Sequence, residues 1–84
     1  MRLDKFLKVS RIIKRRTVAN EACSAGRVSI NDKVAKPSSE IKEGDIISIR
    51  LGEKLFKAEI VSVKEYASKE AADEMYRVIE NDTN

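Results

Sequence analysis

The residues in this chain best suited to chemistry are cations. Arg2, Lys5, Lys8, Arg11, Lys14, Arg15, Arg16, Arg27 and Lys33 crowd the front of the chain, while Asp4 and Glu21 are the only acids between residues 2 and 31. Lys14-Arg15-Arg16 is a consecutive run at the expected start of a helix. There it meets the positive end of the helix dipole, where acids are normally preferred. A bound phosphate would relieve that conflict, because free N–H groups at a helix start donate hydrogen bonds to anions. The pattern points to a polyanionic partner.

Catalytic chemistry has little to work with. The chain has no His, one Cys and three isolated glycines, Gly26, Gly44 and Gly52, each at an expected turn. A triad, a metal centre or a glycine-rich phosphate loop cannot be assembled from these. Cys23 falls in an expected helix without a His to activate it and reads as a small buried residue. The carboxylates toward the C-terminus read as a solvated helix face. The expectation is a non-enzyme, with no metal and no cofactor.

Charge is distributed unevenly. Residues 1–36 carry ten Lys/Arg against three Asp/Glu, a net +7, and residues 37–84 carry seven against eleven, a net −4. A basic front half favours nucleic acid or an anionic membrane. A membrane-surface helix needs bulky apolar residues opposite its cations, but Leu3, Phe6 and Leu7 are required for the core. No apolar run reaches the roughly 20 residues of a membrane span, and none resembles a signal peptide. Phe6, the one aromatic of the basic half, lies on the apolar side, so stacking platforms for single strands are missing. Recognition of structured RNA by backbone and shape fits better.

The cations must be held by elements that the periodicity outlines. Eighty-four residues make one small domain, burying about 60% of the surface its unfolded chain exposes. Residues 2–10 read as a helix with Leu3, Phe6, Leu7 and Ser10 on one side and Asp4, Lys8 and Arg11 opposite. Ile12 and Ile13 can anchor the corner that follows. A second helix is expected over 15–25, with Val18, Ala22 and Ala25 inward, Ala19 beside them, and Gly26 as its stop. Val28-Ser29-Ile30 is a short strand, Asn31-Asp32-Lys33 a turn, and Val34 resumes the strand. Strands are expected over 46–51, with Ile47, Ile49 and Leu51 on one face, and over 55–63. In the latter, Val61 and Val63 fall out of alternation and suggest a bulge or coverage on both sides. From Ser68, a plausible N-cap, a helix is expected with Ala71, Ala72, Met75, Tyr76 and Ile79 inward, and with 81–84 fraying.

The order of motifs resembles the S-four RNA-binding domain family. A basic helix leads to K-R-R-T, A-G-R-V, S-I-N and K-E-G-D in turn, covering residue 1 to about 51. The family commonly has Asn-Gly in the turn after the first strand, where this chain has Asn31-Asp32. The resemblance implies an α+β fold: a two-helix unit (the alpha-L motif) on a small, bent antiparallel sheet, with a short C-terminal helix. The domain would span 1–64, and an acidic helix and tail 65–84.

The whole chain is similar to the short, stand-alone bacterial branch of the family that serves ribosome-associated quality control. That likeness implies cytoplasmic binding of rRNA and peptidyl-tRNA on the large ribosomal subunit. It further implies support of alanine tailing of a stalled nascent chain, together with an RqcH-type quality-control factor. The motif's cationic positions are Arg2, Lys5, Lys8, Arg11, Arg15, Arg16 and Arg27; Lys14 and Lys33 join them on charge. A monomer is expected. Two alternatives stand beside this: a heat-shock-type relative that recycles stalled large subunits, and a protein–protein adaptor using the acidic helix. The domain is often fused to RNA-modifying enzymes, but this sequence stops where a catalytic domain would be expected to begin.

Overall fold

The computed structural model describes residues 1–81. Two helices, α1 (Leu3–Val9) and α2 (Arg16–Ser24), lead into β1 (Val28–Ile30), β2 (Lys33–Val34), β3 (Ile46–Leu51) and β4 (Lys54–Ile60). A single helical turn, α3 (Lys69–Asp73), precedes β5 (Tyr76–Asn81). The strands form one antiparallel sheet in the order β2-β1-β3-β4-β5. The expected α+β architecture of a helix pair on an antiparallel sheet is therefore present.

Leu3, Phe6 and Leu7 of α1 are fully buried in one cluster with Ala19 and Cys23 of α2, Val28 of β1, Ile47 and Ile49 of β3, Ile60 and Met75. Ile12 and Ile13 pack against its edge, as a corner between helices requires. The inward side of α2 differs from the expected one. Ala19 and Cys23 are buried with Ala22 beside them, whereas Val18 is 47% exposed and Ala25 is exposed. Close approach of α2 to α1 demands small side chains at the contact, and that requirement overrides Val18's greater hydrophobicity. Asp4, expected on the wet side of α1, is buried as well.

The start of α1 is satisfied by a distant loop. Leu3 N–H donates to the Ser39 carbonyl at 2.8 Å and Asp4 N–H to that of Pro37 at 3.1 Å. These bonds serve two of the donors that a helix start leaves orphaned, and they fix α1 to the 35–41 segment. The β1–β2 turn puts Asn31 and Asp32 both at positive φ, 50° and 68°. That is the conformation a two-residue hairpin of type I′ needs. Asn31 then ties the turn to the next motif: its Nδ2 donates to Asp45 Oδ1 at 3.1 Å and its Oδ1 accepts from Ile46 N–H at 2.9 Å. The S-I-N and K-E-G-D segments are thus joined side chain to side chain.

Two expectations at the C-terminal end are corrected. Strand β4 stops at Ile60, and the sheet irregularity lies opposite Lys57/Ala58 in the β4–β5 pairing rather than at Val61 and Val63. The helix from Ser68 is real at its start, since Ser68 Oγ accepts from Ala71 N–H at 3.1 Å, but it ends at Asp73. The following residues pair with β4 as β5 instead. Tyr76, Val78 and Ile79 are strong strand formers, and β4 would otherwise present an open edge. Phe56 and Tyr76 meet edge to face across this pairing, with ring centres 6.4 Å apart. Asn81 closes β5, and the rest of the expected frayed tail, residues 82–84, lies outside the described residues.

Candidate nucleic-acid interface

Helix α1 repeats its cations at a spacing that places Lys5 and Lys8 on neighbouring turns of one side. At its end the chain enters the left-handed region at Arg11, with φ 63°. A helix stop of this kind normally takes Gly. Holding an L-residue there costs roughly 1–2 kcal/mol. The backbone reversal carries Lys14 and the first turn of α2 back alongside α1. The result is an open cleft of about 410 Å³ lined by Lys5, Lys8, Arg11, Lys14 and Arg16, with Glu65 and Tyr66 also in its lining.

Within the cleft the charges are not equivalent. Lys5 is ion-paired with Glu65. Hydrogen bonding from Lys5, and then its charge, hold the Glu65 carboxyl below the usual carboxylate range. Arg16 belongs to a second cluster around Asp4. Arg2 donates to Asp4 through Nε and Nη2, both at 3.2 Å, and Arg16 Nη2 approaches Asp4 Oδ1 at 3.5 Å. Burial pushes the Asp4 carboxyl up. The Arg2 hydrogen bond, the charges of Arg16 and Arg2, and a hydrogen bond from Asn20 outweigh burial and hold it below its ordinary value. Lys8, Arg11 and Lys14 have no acidic partner within ion-pair distance among the described residues. They are the cations free to meet an anion.

The other expected cations stand apart. Arg2 and Asn20 line a shallower groove beside Cys23 and the 34–38 segment. Arg15 is the N-cap of α2, which has no side-chain cap and no acid in its first turn. Arg27 lies in a third groove with Arg50 and Lys57, two cations that sequence reading left out. Lys33 is exposed on β2 at the sheet edge. The expected nine therefore fall into one main cleft and separate flanking positions. Cys23 is buried, and burial, with a smaller push from Asp4, raises its thiol to about 11. At neutral pH it stays protonated and a poor nucleophile. Among the described residues no group of His, Cys, Asp or Glu could hold a metal ion, and no helix is long and apolar enough to cross a membrane.

The helix pair and the cations of the cleft fall within residues 1–47, which match the family model for the S4 domain. The chain belongs to the S4 domain family. The RQC P-site tRNA stabilizing factor of Halalkalibacterium halodurans is 56% identical over 78 residues, covering 93% of this chain and 89% of that protein. The Bacillus subtilis protein of the same name is 49% identical over 82 residues, covering 98% of this chain and 95% of that one. Among solved structures, the trimeric heat shock protein 15 of Vibrio cholerae superposes with a TM-score of 0.84 at 30% identity, covering 93% of this chain and 80% of that one.

In this S4 domain two features of the cleft and its rim are not apparent from the sequence. The helical periodicity puts Asp4 on the solvent side of α1, yet it is the anion that fixes Arg2 and Arg16. An acid flanked by Arg2 and Lys5 in so basic a helix was the available signal. Tyr66 is 65 positions from the start of the chain and enters the cleft only through the packing of the β4–α3 connection. Nothing local in the sequence marks it.

Proposed function

We propose that this S4 domain is a non-enzymatic RNA-binding factor of ribosome-associated quality control. It binds rRNA and tRNA on a large ribosomal subunit that carries stalled peptidyl-tRNA. There it supports alanine tailing of the nascent chain in cooperation with an RqcH-type factor. The observation that carries this reading is the cleft beside α1 and the start of α2, where Lys8, Arg11 and Lys14 converge. Among the described residues none of the three is ion-paired, the cleft's one acid, Glu65, being paired with Lys5. Arg15 and Arg16 add the uncapped start of α2, a position whose N–H groups and dipole favour phosphate. Arg2, Lys5, Arg27 and Lys33 extend the contact to a second strand or a second RNA.

The names of the relatives support the assignment of tRNA and of quality control. The single cysteine fits a reducing cytoplasm, and the protein is proposed to act there as a monomer on the ribosome. Co-sedimentation tests the reading. The protein should travel with large subunits bearing peptidyl-tRNA, and a Lys8→Gln/Lys14→Gln variant should be depleted from that fraction at physiological salt. Equal recovery of both proteins would overturn it.

The likeness to heat shock protein 15 favours one second reading, recycling of stalled large subunits without tailing. Reconstituted tailing separates the two, because only the first role makes alanine addition depend on this protein. An adaptor role resting on acidic helix surface is disfavoured by α3, which spans five residues. RNase treatment during capture would reveal it if contacts persisted.

A further inference from the structure

Tyr66 is the most exposed of the large hydrophobic and aromatic side chains, at 89%. Its neighbours in the chain are nevertheless anchored. On one side Glu65 is ion-paired with Lys5 of α1, and on the other Ala67 packs against the core. The connection begins with Val61 and Ser62 N–H both donating to the Met75 carbonyl, at 2.8 and 3.2 Å. The chain on either side of Tyr66 is anchored, and the ring itself is left in water. Its surroundings are the cations of the α1–α2 cleft.

We infer that Tyr66 is a stacking platform for one unpaired base of the bound RNA, while Lys8, Arg11 and Lys14 take the phosphates on either side of that nucleotide. The inference deepens the RNA-binding reading above and rests on it. An aromatic face beside a cationic track is the combination with which proteins hold splayed-out nucleotides. Within a continuous duplex the bases already stack on one another and offer Tyr66 no free face. The cleft, at about 410 Å³, is of a size to take a small ligand rather than a helix groove. The ligand class is therefore RNA with a bulged or looped-out base next to a structured backbone. The α1–α2 cleft thereby distinguishes base-exposed sites from plain duplex.

The test uses the full chain and two RNAs, a short hairpin with one bulged adenosine and its fully paired counterpart. Tyr66→Ala should weaken binding of the bulged RNA roughly tenfold, the size of one lost base–aromatic stack, and should leave the paired RNA within twofold. Tyr66→Phe should bind like the parent. The chain has no Trp, so Tyr66→Trp introduces a single reporter, whose fluorescence should be quenched by the bulged RNA and not by the paired one. The salt dependence of Tyr66→Ala should match the parent's, because stacking releases no counterions. An unchanged affinity in Tyr66→Ala, an equal loss for both RNAs, or a Tyr66→Phe defect as large as that of Tyr66→Ala would overturn the inference. If Lys8→Gln/Lys14→Gln loses both RNAs while Tyr66→Ala loses neither, the basic cleft stands and the stacking role fails. If the parent binds neither RNA, the RNA-binding reading itself fails.

Discussion

Asp4 Oδ1 lies 3.5 Å from Arg16 Nη2, across the joint between the two helices. The Asp4 side chain is only 3% exposed, while the Arg16 side chain is about half in water, at 49%. A buried anion therefore anchors one edge of a guanidinium and leaves the other open. Arg2, bound to both carboxylate oxygens, shares the same anchor. The arrangement orients two cations on the surface and, by the same bonds, ties the start of α1 to the start of α2.

Acid should dissolve this joint. Because the folded Asp4 carboxyl is held below its ordinary value of 3.8, its contribution is complete above about pH 4. It is lost as pH falls through the lower, folded value. Asp4→Asn should lower stability at neutral pH by roughly 1.5–3 kcal/mol, the range for hydrogen bonds to a charged group, and toward the small end because both guanidinia keep access to water. Thermal melts from neutral pH down into the acid range should show parent and variant converging on the acid side. A gap that stays constant across that range would refute the assignment.

Helix α1 was legible because Leu3, Phe6, Leu7 and Ser10 recur with helical period and all four are buried. The side facing inward was less legible wherever a local property competed with packing. Val18 is more hydrophobic than Ala19 or Cys23, but the tight α1–α2 contact selects size over hydrophobicity. Residues 71–79 fit a helical stripe as well as a strand, and only the open edge of β4 decides between them. The cations of the cleft could be named individually but not grouped. Their convergence depends on the left-handed turn at Arg11, and Tyr66 joins them from a connection remote in sequence.

Arg11 joins strain to function, so changing it should separate the two. At φ 63° an arginine is unfavourable and a glycine is not. Arg11→Gly relieves about 1–2 kcal/mol of left-handed strain but returns part of it through the entropy of the unfolded chain. A net gain of about 0.5–1 kcal/mol in denaturant melts is expected, together with weaker RNA binding. Arg11→Asn, which tolerates the same backbone, should keep the stability nearer the parent's and show a similar binding loss. A destabilised Arg11→Gly would mean that the side chain supports the fold.

Asn31 should matter more to the fold than an exposed turn residue usually does. It combines positive φ with two side-chain bonds, to Asp45 and to Ile46 N–H. Asn31→Ala should cost about 1–3 kcal/mol by leaving the Asp45 carboxylate and the Ile46 amide short of partners, with added backbone strain. Asn31→Gly keeps the turn but loses the bonds and should fall between parent and Ala. Asp32→Gly, which restores the common pair for this hairpin, should stabilise modestly. The order of midpoints in urea, Asp32→Gly above parent above Asn31→Gly above Asn31→Ala, checks all of this in one series.

The cleft is best interrogated through Lys8 and Lys14 rather than Arg16. Arg16→Ala removes a partner of the buried Asp4, so lost binding would be confounded with lost stability. Lys8 and Lys14 are exposed and hold no acid in an ion pair among the described residues. Exposed substitutions of this kind usually change stability by less than about 0.5 kcal/mol. Each phosphate contact contributes about 0.7–0.9 to the slope of log affinity against log salt. Lys8→Gln/Lys14→Gln should therefore flatten that slope by about 1.4–1.8, with an unchanged melting temperature. A weakened affinity with an unaltered slope would show that these lysines act on something other than phosphate, and an unaltered affinity would move the RNA contact out of the α1–α2 cleft to the grooves around Arg2 or Arg27.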